Sequence, residues 1–575
     1  MKRYWKYIRP YIQYYILGPC FMMMEVVGDV LLPYMLAKII NQGIAERNVV
    51  YIIKIGVIMG FIAVIMAVGG ILGAWFASKA AMNFGADLRM DLFEKIQQFS
   101  FQNIDNFSTG SLITRLTNDI TQIQNMIMMT LRMCLRSPGI LIGAMVMAFV
   151  ISPKLAAIFI IVLPVLAVLI VVIMRRAFPQ FRTLQEKLDA LNSCIQEGLV
   201  GIRLIKSFVR GDYEEMRFEK RNQQLKEANL TAMKTMLLYT PLMTLALNIT
   251  TVVVVWSGGN MIVAGNMQVG DLTAFTNYIV QIMSSLTMLS IAFLNWARAI
   301  ASFRRVGEVL DEKIDLTDEN AKHKDRAVCE GSVEFQNVSF RYYKNSPEWV
   351  IENISFKLEA GKTLGIIGST GSGKSTLVSM IPRLYDTDEG TVLVDGINVR
   401  DYGLKPLREG IGMVLQNNTL FSGSITENLK WGDEHADEKA VRKAAQNAQA
   451  AGFIDSFKDG YRTRLEQSGN NVSGGQKQRL CIARALLKCP KILILDDSTS
   501  AVDTATERAI REALHSEYKD MTKIIIAQRI RSVMDADEIL VLDNGKTAGF
   551  GTHEQLLADC PVYREIYDVQ NGREE

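Results

Sequence analysis

The sequence predicts a multidomain fold, with an all-α domain of six membrane-spanning helices followed by an α/β domain. The first observation is length, because 575 residues exceed what a single hydrophobic core organises. The second is composition, since 49% of the residues are hydrophobic and 21% are charged. With a mean hydropathy of +0.13, the chain is too apolar to be wholly soluble and too charged to be wholly embedded in a membrane.

Six apolar stretches are long enough to cross a bilayer, since a hydrocarbon core of about 30 Å requires about 20 helical residues. They lie near residues 15–40, 51–78, 129–152, 155–178, 236–264 and 272–300. Runs such as LAAIFIIVLPVLAVLIVVIM carry no charged residue across a full span. Such runs favour membrane helices over the buried helices of a soluble core.

Basic residues predict the orientation of these spans. The connection between the fourth and fifth spans is crowded with them: Arg175, Arg176, Arg182, Lys187, Arg203, Lys206 and Arg210. The turn between the third and fourth spans holds little beyond Lys154. Because basic loops remain on the cytoplasmic side, the long connections are predicted to be cytoplasmic and the short ones external.

The two long connections, about 79–128 and 179–235, carry helical patterning. Each is predicted to form two helical arms that reach about 30 Å into the cytoplasm. The Gly, Asn and Asp residues within 106–110 and 208–212 permit the chain to reverse direction there. We expect these tips to meet a soluble domain.

Charge and cysteine content argue against other classes of protein. A net charge of +3 lacks the basic excess of a nucleic-acid-binding surface, so no nucleic-acid partner is predicted. The seven cysteines form no CxxC pair, which favours packed, reduced thiols over a metal site or disulfides. The N-terminus, MKRYWKYIRPYIQYY, lacks a signal-peptide cleavage site and is predicted to be an amphipathic helix on the cytoplasmic membrane face.

After Arg305 the chain becomes highly charged and poor in large apolar residues, as expected of an exposed linker. The predicted organisation is a transmembrane domain at 1–310, a linker at 311–332 and a second domain at 333–575. In the second domain, β-branched runs such as TLGIIG, KILILD and KIIIA alternate with helical segments. This alternation is typical of an α/β domain with a mainly parallel sheet.

A glycine-rich loop follows the predicted strand TLGIIG. It has the GxxxxGK[ST] pattern of a phosphate-binding loop in its strand, loop and helix setting, and reads Gly368, Ser369, Thr370, Gly371, Ser372, Gly373, Lys374, Ser375 and Thr376. Its backbone N–H groups and the following helix N-terminus suit phosphate oxygens. Lys374 is predicted to reach the outer phosphates and Ser375 to ligate Mg²⁺.

Two further elements accompany this loop. The apolar strand KILILD ends in Asp496, which is placed to complete the Mg²⁺ shell. Between the two lies NVSGGQKQR, in which Ser473, Gly474 and Gly475 precede an apolar helical run. The amides and hydroxyl at such a helix N-terminus would face a phosphate, although SGGQ alone is a weak signal.

In this order the glycine-rich loop, the SGGQ string ending at Gln476, and the acidic strand resemble the ATP-binding cassette family. The similarity is to exporters that fuse six membrane helices, in the type I arrangement, to one cassette, and it covers essentially the whole chain. It implies an ATPase that uses ATP and Mg²⁺ and drives transport in the cell membrane, with its cassette in the cytoplasm. In this family two cassettes sandwich two ATP molecules, each phosphate loop facing the partner's SGGQ signature, so the resemblance implies an obligate half of a dimer.

The resemblance also implies roles for individual residues. Tyr342 in SFRYY matches the aromatic residue that stacks on adenine, and Asp503 in TSAVD matches an aspartate of the intersubunit loop. Gln416 in MVLQ matches the glutamine that senses Mg²⁺ and contacts the membrane domain. A core tyrosine and a surface glutamine remain alternative interpretations of Tyr342 and Gln416. The tips at 106–110 and 208–212 match the coupling helices that dock on cassettes.

Two catalytic positions depart from the family pattern. Hydrolysing members carry glutamate after the strand's aspartate, whereas this chain has Asp497, whose carboxylate is one methylene shorter. After the strand KIIIA the chain has Gln528 where the family pattern has a histidine that contacts the γ-phosphate. We therefore predict a degenerate ATP site in a heterodimer whose second, non-identical chain carries the glutamate and the histidine.

Ionisable residues within spans are candidates for cargo contact. Glu25 and Asp29 lie one turn apart on the first span, and either bind cargo, face an aqueous vestibule or bond another helix. Arg132, Arg136 and Arg298 lie near predicted cytoplasmic ends, where snorkelling to the interface explains them.

The predicted cargo is an amphiphilic small molecule, with drugs favoured only through the family resemblance and with lipids and peptides as alternatives. A different class of function, an ATP-sensing regulatory or channel-like membrane protein, also remains open. An adjacent gene encoding a similar chain with the glutamate would favour transport.

Overall fold

The computed structural model describes residues 2–344, 346–498 and 501–571. The description also leaves out the side chains of residues 2, 290, 291, 293–295, 297, 298 and 571. The predicted snorkelling of Arg298 therefore lies outside the described residues and stays a prediction. The chain divides into two compact units. One comprises Met1–Gln97 with Gly110–Asp311, and the other comprises Gln98–Thr109 with Glu312–Glu575.

The first part of the chain is helical up to Asp311. Its helices are α1 Trp5–Ile8, α2 Ile12–Lys38, α3 Val49–Gln97, α4 Phe101–Asp105, α5 Thr109–Thr114, α6 Ile120–Met133, α7 Arg136–Ile151, α8 Pro153–Val200, α9 Ile202–Ser207, α10 Gly211–Leu237, α11 Tyr239–Val263 and α12 Val269–Asp311. Two π-helical segments, Ile39–Ile44 and Arg115–Asp119, continue α2 and join α5 to α6. The chain breaks between α4 and α5 and again between α9 and α10, within or next to the predicted tips.

Within the described residues, five helical stretches are long and apolar enough to cross a membrane. They are Trp5–Ile44, Val49–Gln97, Thr109–Ile151, Pro153–Val200 and Gly211–Val263. Each overlaps one of the first five predicted spans, and the third and fifth predicted spans extend one residue past the observed stretch. The sixth predicted span, 272–300, lies within α12, which includes the side chains outside the description.

Small residues allow α2 and α3 to pack closely. Gly69, Gly73 and Ala77 are spaced four apart on α3, and all three are buried. A Cβ atom at Gly73 would lie 2.6 Å from Met22 Cε and 3.1 Å from Gly18 O. Because lipid supplies no hydrophobic drive between helices, this close approach stabilises the pair through van der Waals contact.

The structure corrects the interpretation of one arginine. Arg136, predicted to snorkel, donates through Nη2 to Glu25 Oε1 at 2.8 Å and to Asp29 Oδ2 at 3.3 Å. Glu25 and Asp29 therefore bond another helix, one of the alternatives open at the sequence level. Snorkelling was wrong for Arg136 because two carboxylates on α2 lie within reach and an ion pair lowers the cost of burying all three charges.

The second unit is built around two main sheets. Its strands are β1 Val333–Phe340, β2 Ile351–Leu358, β3 Thr363–Gly368, β4 Glu389–Val394, β5 Ile397–Asn398, β6 Ile411–Val414, β7 Gly423–Ser424, β8 Arg464–Leu465, β9 Ile492–Asp496, β10 Thr522–Ile526, β11 Glu538–Asp543 and β12 Lys546–Gly551. A six-stranded sheet has the order β12-β11-β3-β10-β9-β6, and a four-stranded sheet has the order β2-β1-β4-β5. The predicted parallel sheet is confirmed, since only β12 runs antiparallel in the larger sheet.

Helices surround these sheets. They are α13 Lys374–Ser379, α14 Leu404–Glu409, α15 Ile425–Leu429, α16 Glu438–Asn447, α17 Ala451–Ser456, α18 Gly474–Leu487, α19 Thr504–Glu517, α20 His553–Asp559 and α21 Pro561–Asn571. The strands β9 and β10 are buried along their whole length. Burial on both faces explains their continuous apolar sequences and fixes the positions of the residues that follow them.

The segment before β1 is held to the second unit by one carboxylate. Asp395 accepts four consecutive backbone N–H groups: Cys329 and Glu330 bond Oδ2 at 2.7 and 3.1 Å, and Gly331 and Ser332 bond Oδ1 at 2.7 and 3.0 Å. Hydrogen bonds to a charged acceptor are stronger than neutral ones. This clamp fixes the point at which the linker enters the sheet.

Candidate nucleotide-binding site

The glycine-rich loop joins β3 to α13 and has a backbone that only glycine adopts easily. Gly371 and Gly373 have φ of +85° and +89°, in the left-handed region that disfavours other residues. A Cβ atom at Gly373 would lie 2.6 Å from Ile351 Cγ2, whereas one at Gly371 would meet nothing within 4 Å. The loop is therefore packed on its β2 side and open at Gly371, a cradle that fits a chain of phosphates.

Lys374 and Ser375 lie at the start of α13 and carry the polar groups of this cradle. Lys374 Nζ donates to Gly368 O at 2.9 Å and to Ser369 O at 2.7 Å, so it lies across the loop. Burial lowers the pKa of Lys374, while Asp497 and Asp496 act in the opposite direction. The third contact of Lys374 Nζ is Ser372 Oγ, at 3.4 Å. A half-buried ammonium bound to uncharged oxygens suits an incoming anion.

Ser375 and Asp496 form the second contact of the site. Ser375 Oγ donates to Asp496 Oδ1 at 2.9 Å, which joins α13 to the end of β9. Burial raises the pKa of Asp496, and this hydrogen bond opposes the rise. A hydroxyl and a carboxylate at hydrogen-bond distance are oxygen ligands of the type that Mg²⁺ takes beside phosphates.

Asp497 and Gln528 follow β9 and β10, and the parallel register brings them together. Gln528 Nε2 donates to Asp497 Oδ2 at 2.8 Å, and Asp497 has a left-handed backbone with φ of +47°. Burial raises the pKa of Asp497, whereas Gln528 and Lys374 hold it down. The two residues that depart from the family pattern are thus direct neighbours.

These groups line one cavity of about 330 Å³. Its wall contains Thr370, Gly371, Ser372, Gly373, Lys374, Ser375, Thr376, Tyr342, Gln416, Asp496, Asp497 and Gln528, together with Val350 and Ile526. Tyr342 shares a hydrogen bond of 2.9 Å with Thr376 Oγ1 through its hydroxyl. Gly368 and Ser369, the first two residues of the predicted loop, are not in this wall. Their carbonyl oxygens accept hydrogen bonds from Lys374, which is in the wall.

The SGGQ string and Asp503 are not in the wall of this cavity. Ser473 caps α18, because its Oγ accepts from Gln476 N while Gln476 Oε1 accepts from Ser473 N at 2.8 Å. Gly474 begins that helix and is exposed. Asp503 caps α19 by accepting from Thr506 N at 2.9 Å, a bond that lowers the pKa of Asp503.

Sequence reasoning missed Tyr385, which lies next to Tyr342. Their ring centroids are 5.4 Å apart and the rings meet edge-on at 85°. Tyr385 belongs to no recognised motif, and its other partners are distant in sequence. The one sequence signal for Tyr385 is that it is an aromatic residue, in the string RLYD, close after the phosphate loop.

A parallel sheet with a phosphate loop beside an acidic strand, preceded by helices of membrane length, defines an ATP-dependent membrane transporter. Two family models match: the one described as ABC transporter transmembrane region covers residues 15–286, and the one described as ABC transporter covers residues 351–500. The chain belongs to the ABC transporter family.

Similar proteins match this chain along its whole length. The uncharacterized ABC transporter ATP-binding protein YfiB of Bacillus subtilis is 39% identical over 100% of this chain and 99% of its own. YgaD of Bacillus subtilis, described as a putative multidrug export ATP-binding/permease protein, is 33% identical over 99% of both chains. A bacterial Atm1-family ABC exporter solved with ATP bound has the same fold, with a TM-score of 0.82 at 24% identity and 99% of both chains covered. The protein is a multi-pass membrane ATPase that couples ATP hydrolysis to transport.

Proposed function

We propose that this chain is one subunit of a heterodimeric exporter of amphiphilic small molecules in the plasma membrane, and that its own ATP site hydrolyses slowly. Residues 1–310 form the transport pathway, and residues 333–575 form the cytoplasmic cassette that pairs with a second, non-identical cassette. In this assembly ATP binding closes the cassettes, and hydrolysis at the partner-based site reopens them.

The observation that carries the proposal is the pair Asp497 and Gln528. A general base must reach the attacking water at about 2.6–3.2 Å. The carboxylate of an aspartate ends about 1 Å short of the position that a glutamate carboxylate would reach. A misplacement of that size can lower the rate about a hundredfold. Gln528 also bonds Asp497 Oδ2 at 2.8 Å, so the carboxylate is turned toward an amide that accepts no proton.

The binding groups support retention of ATP. We assign Lys374 to the outer phosphates, Ser375, Gln416 and Asp496 to Mg²⁺, and Tyr342 to adenine. Bound Mg²⁺ would offset the negative charge of the phosphates. The hydrogen bond of 2.9 Å between Ser375 Oγ and Asp496 Oδ1 supports this assignment, because it brings the two proposed ligand oxygens together.

The position of the SGGQ string supports a shared site. Ser473 through Gln476 and Asp503 lie outside the cavity that contains Lys374, and Ser473 is exposed at the N-terminus of α18. We assign these residues to the ATP site based on the partner's phosphate loop. The chain therefore supplies an intact signature and a weakened base.

The cargo assignment rests on weaker support. YgaD is described as a putative multidrug exporter, and many of the chain's 28 methionines lie in the membrane half. Flexible thioethers adapt to varied apolar molecules.

Restoring the catalytic pair tests the degenerate site. We would purify the full-length chain and measure ATP hydrolysis by the wild type and by Asp497→Glu with Gln528→His. We expect slow hydrolysis by the wild type and a gain of at least about tenfold in the double variant, since base placement is worth up to about a hundredfold. Lys405→Ala, at an exposed pair with Glu409, is the matched control.

Two results would contradict the proposal. One is brisk hydrolysis by the wild-type chain alone that Asp497→Asn abolishes. The other concerns the partner, which affinity purification from native membranes followed by mass spectrometry identifies. We expect a second ABC chain with glutamate and histidine at the matching positions, and recovery of only this chain would exclude the heterodimer.

A further inference from the structure

The loop that follows β10 is bound by one glutamine of α21. Gln570 donates through Nε2 to Gln528 O at 2.7 Å, and its Oε1 accepts from Ile530 N, also at 2.7 Å. One side-chain amide thus bonds both the carbonyl and the N–H that flank Arg529. The backbone at Arg529 is extended, with φ of −98° and ψ of 127°, so the amide pairs with the loop much as a neighbouring strand would.

The helix that carries Gln570 is anchored on the core of the second unit. Tyr563 is fully buried, and its hydroxyl shares a 2.7 Å hydrogen bond with His553 Nδ1. Ile566 and Tyr567 pack against the same core. The spacing of residues 563, 566, 567 and 570 places them on one face of the helix. Gln570 therefore reaches the loop from a helix whose position is fixed by packing.

The residue that Gln570 holds belongs to the nucleotide cavity. The side chain of Gln528 lies in the cavity wall together with Lys374, which is assigned above to the outer phosphates. Gln528 Nε2 donates to Asp497 Oδ2 at 2.8 Å. The backbone of Gln528 is thus fixed by Gln570 and its side chain by Asp497, and a donor fixed at both ends keeps its place relative to a bound phosphate.

We propose that Gln570 is a positioning residue for the ATP site of this chain, because it holds the backbone from Gln528 to Ile530 and thereby sets the Gln528 side chain beside the γ-phosphate. The inference rests on the proposed function, which places ATP in this cavity with its outer phosphates at Lys374. ADP has no γ-phosphate, so its affinity does not depend on this contact. Gln570 therefore contributes to the discrimination of ATP from ADP.

Removing the two hydrogen bonds without shortening the side chain tests this role. Gln570→Met keeps the length of the side chain and loses both bonds. On the full-length chain, displacement of a fluorescent nucleotide would give the Kd of ADP and of a non-hydrolysable ATP analogue. We expect the variant to weaken the ATP analogue about fivefold, as the loss of one or two hydrogen bonds would, and to leave the Kd of ADP unchanged.

A purely structural role would give a different result. Glu565→Met is the matched control, because it introduces the same side chain at an exposed position of the same helix; it should change neither Kd. If Gln570→Met weakens both nucleotides equally, or lowers the melting temperature while both affinities stay the same, Gln570 only stabilises α21 and the positioning role is overturned.

A second variant shows whether Gln570 acts through Gln528. We expect Gln528→Ala to weaken the ATP analogue and not ADP. Adding Gln570→Met to Gln528→Ala should then cause no further loss, since residues that act as one unit are not additive. Full additivity of the two changes would contradict the inference.

The same measurements separate this inference from the proposed function. If Gln528→Ala weakens the ATP analogue selectively while Gln570→Met binds like the wild type, Gln528 remains beside the γ-phosphate and only the positioning role fails. If neither variant changes the affinity for the ATP analogue, the inference fails, and the slow hydrolysis proposed for this site is judged by the Asp497→Glu with Gln528→His variant alone. A wild-type chain that binds neither nucleotide would overturn both.

Discussion

The two sides of the nucleotide cavity differ in how strictly they depend on one side chain. On the phosphate side, backbone amides, glycine conformation and the two residues Lys374 and Ser375 share the contacts. On the opposite side, the proposed function makes hydrolysis depend on one carboxylate, that of Asp497, which is bonded to Gln528. Under the proposed function, a one-methylene change therefore slows turnover while the groups that hold ATP remain in place.

Removing the lysine on the phosphate side of the cavity should have the largest effect on ATP binding. Lys374→Ala removes the ammonium that bridges Gly368 O and Ser369 O and faces the cavity. We expect ATP to bind roughly 100-fold more weakly, which corresponds to about 2.8 kcal/mol. Equilibrium binding of a fluorescent ATP analogue measures this change. An affinity within about threefold of the wild type would show that the lysine holds the loop and not the ligand.

The signature of the chain should matter next, but only in the assembled transporter. Ser473→Ala removes a hydroxyl assigned to the partner's ATP, and we expect ATPase activity of the complex to fall at least about tenfold. The same change also removes a helix cap worth about 1 kcal/mol.

A second cap of the same kind provides the control for that variant. Ser424 caps α15 by accepting from Glu427 N, and the Glu427 side chain bonds back to Ser424 N. Ser424→Ala should reduce stability by about the same amount without affecting hydrolysis. Equal losses of activity in the Ser473 and Ser424 variants would mean that Ser473 acts only as a cap.

The smallest effect is expected at Asp497, the residue proposed as a weakened base. Asp497→Asn keeps the shape of the side chain and should change ATPase activity of the assembled transporter by less than about twofold, because the proposed function assigns turnover to the other site. Steady-state hydrolysis by the purified complex measures it. A loss of tenfold or more would place productive hydrolysis at this chain's own cavity.

Local patterns predicted where the loop and the strand beside it lie in the fold. The loop from Gly368 to Thr376 and the strand ending in Asp496 are each specified by a few adjacent residues, so their positions could be predicted from the sequence, while their roles toward ATP and Mg²⁺ stay predictions. The parallel sheet was predictable for a similar reason, since strands buried on both faces, such as KILILD and KIIIA, read as continuous apolar runs.

Contacts between distant residues were not predictable in the same way. The bond between Tyr385 and Asp105 joins residues 280 positions apart, and the pairing of Arg136 with Glu25 spans 111. Helical periodicity shows which face a residue occupies but not which helix lies opposite. For that reason Arg136 was misinterpreted as an interfacial residue.

The four amides that converge on Asp395 determine where a soluble fragment of this protein should begin. Truncation at Val333, the boundary expected from strand patterning, would delete Cys329, Glu330, Gly331 and Ser332, every donor that Asp395 contacts in the preceding segment. A cassette expressed from a few residues further upstream would keep its first strand tethered and should melt at a higher temperature.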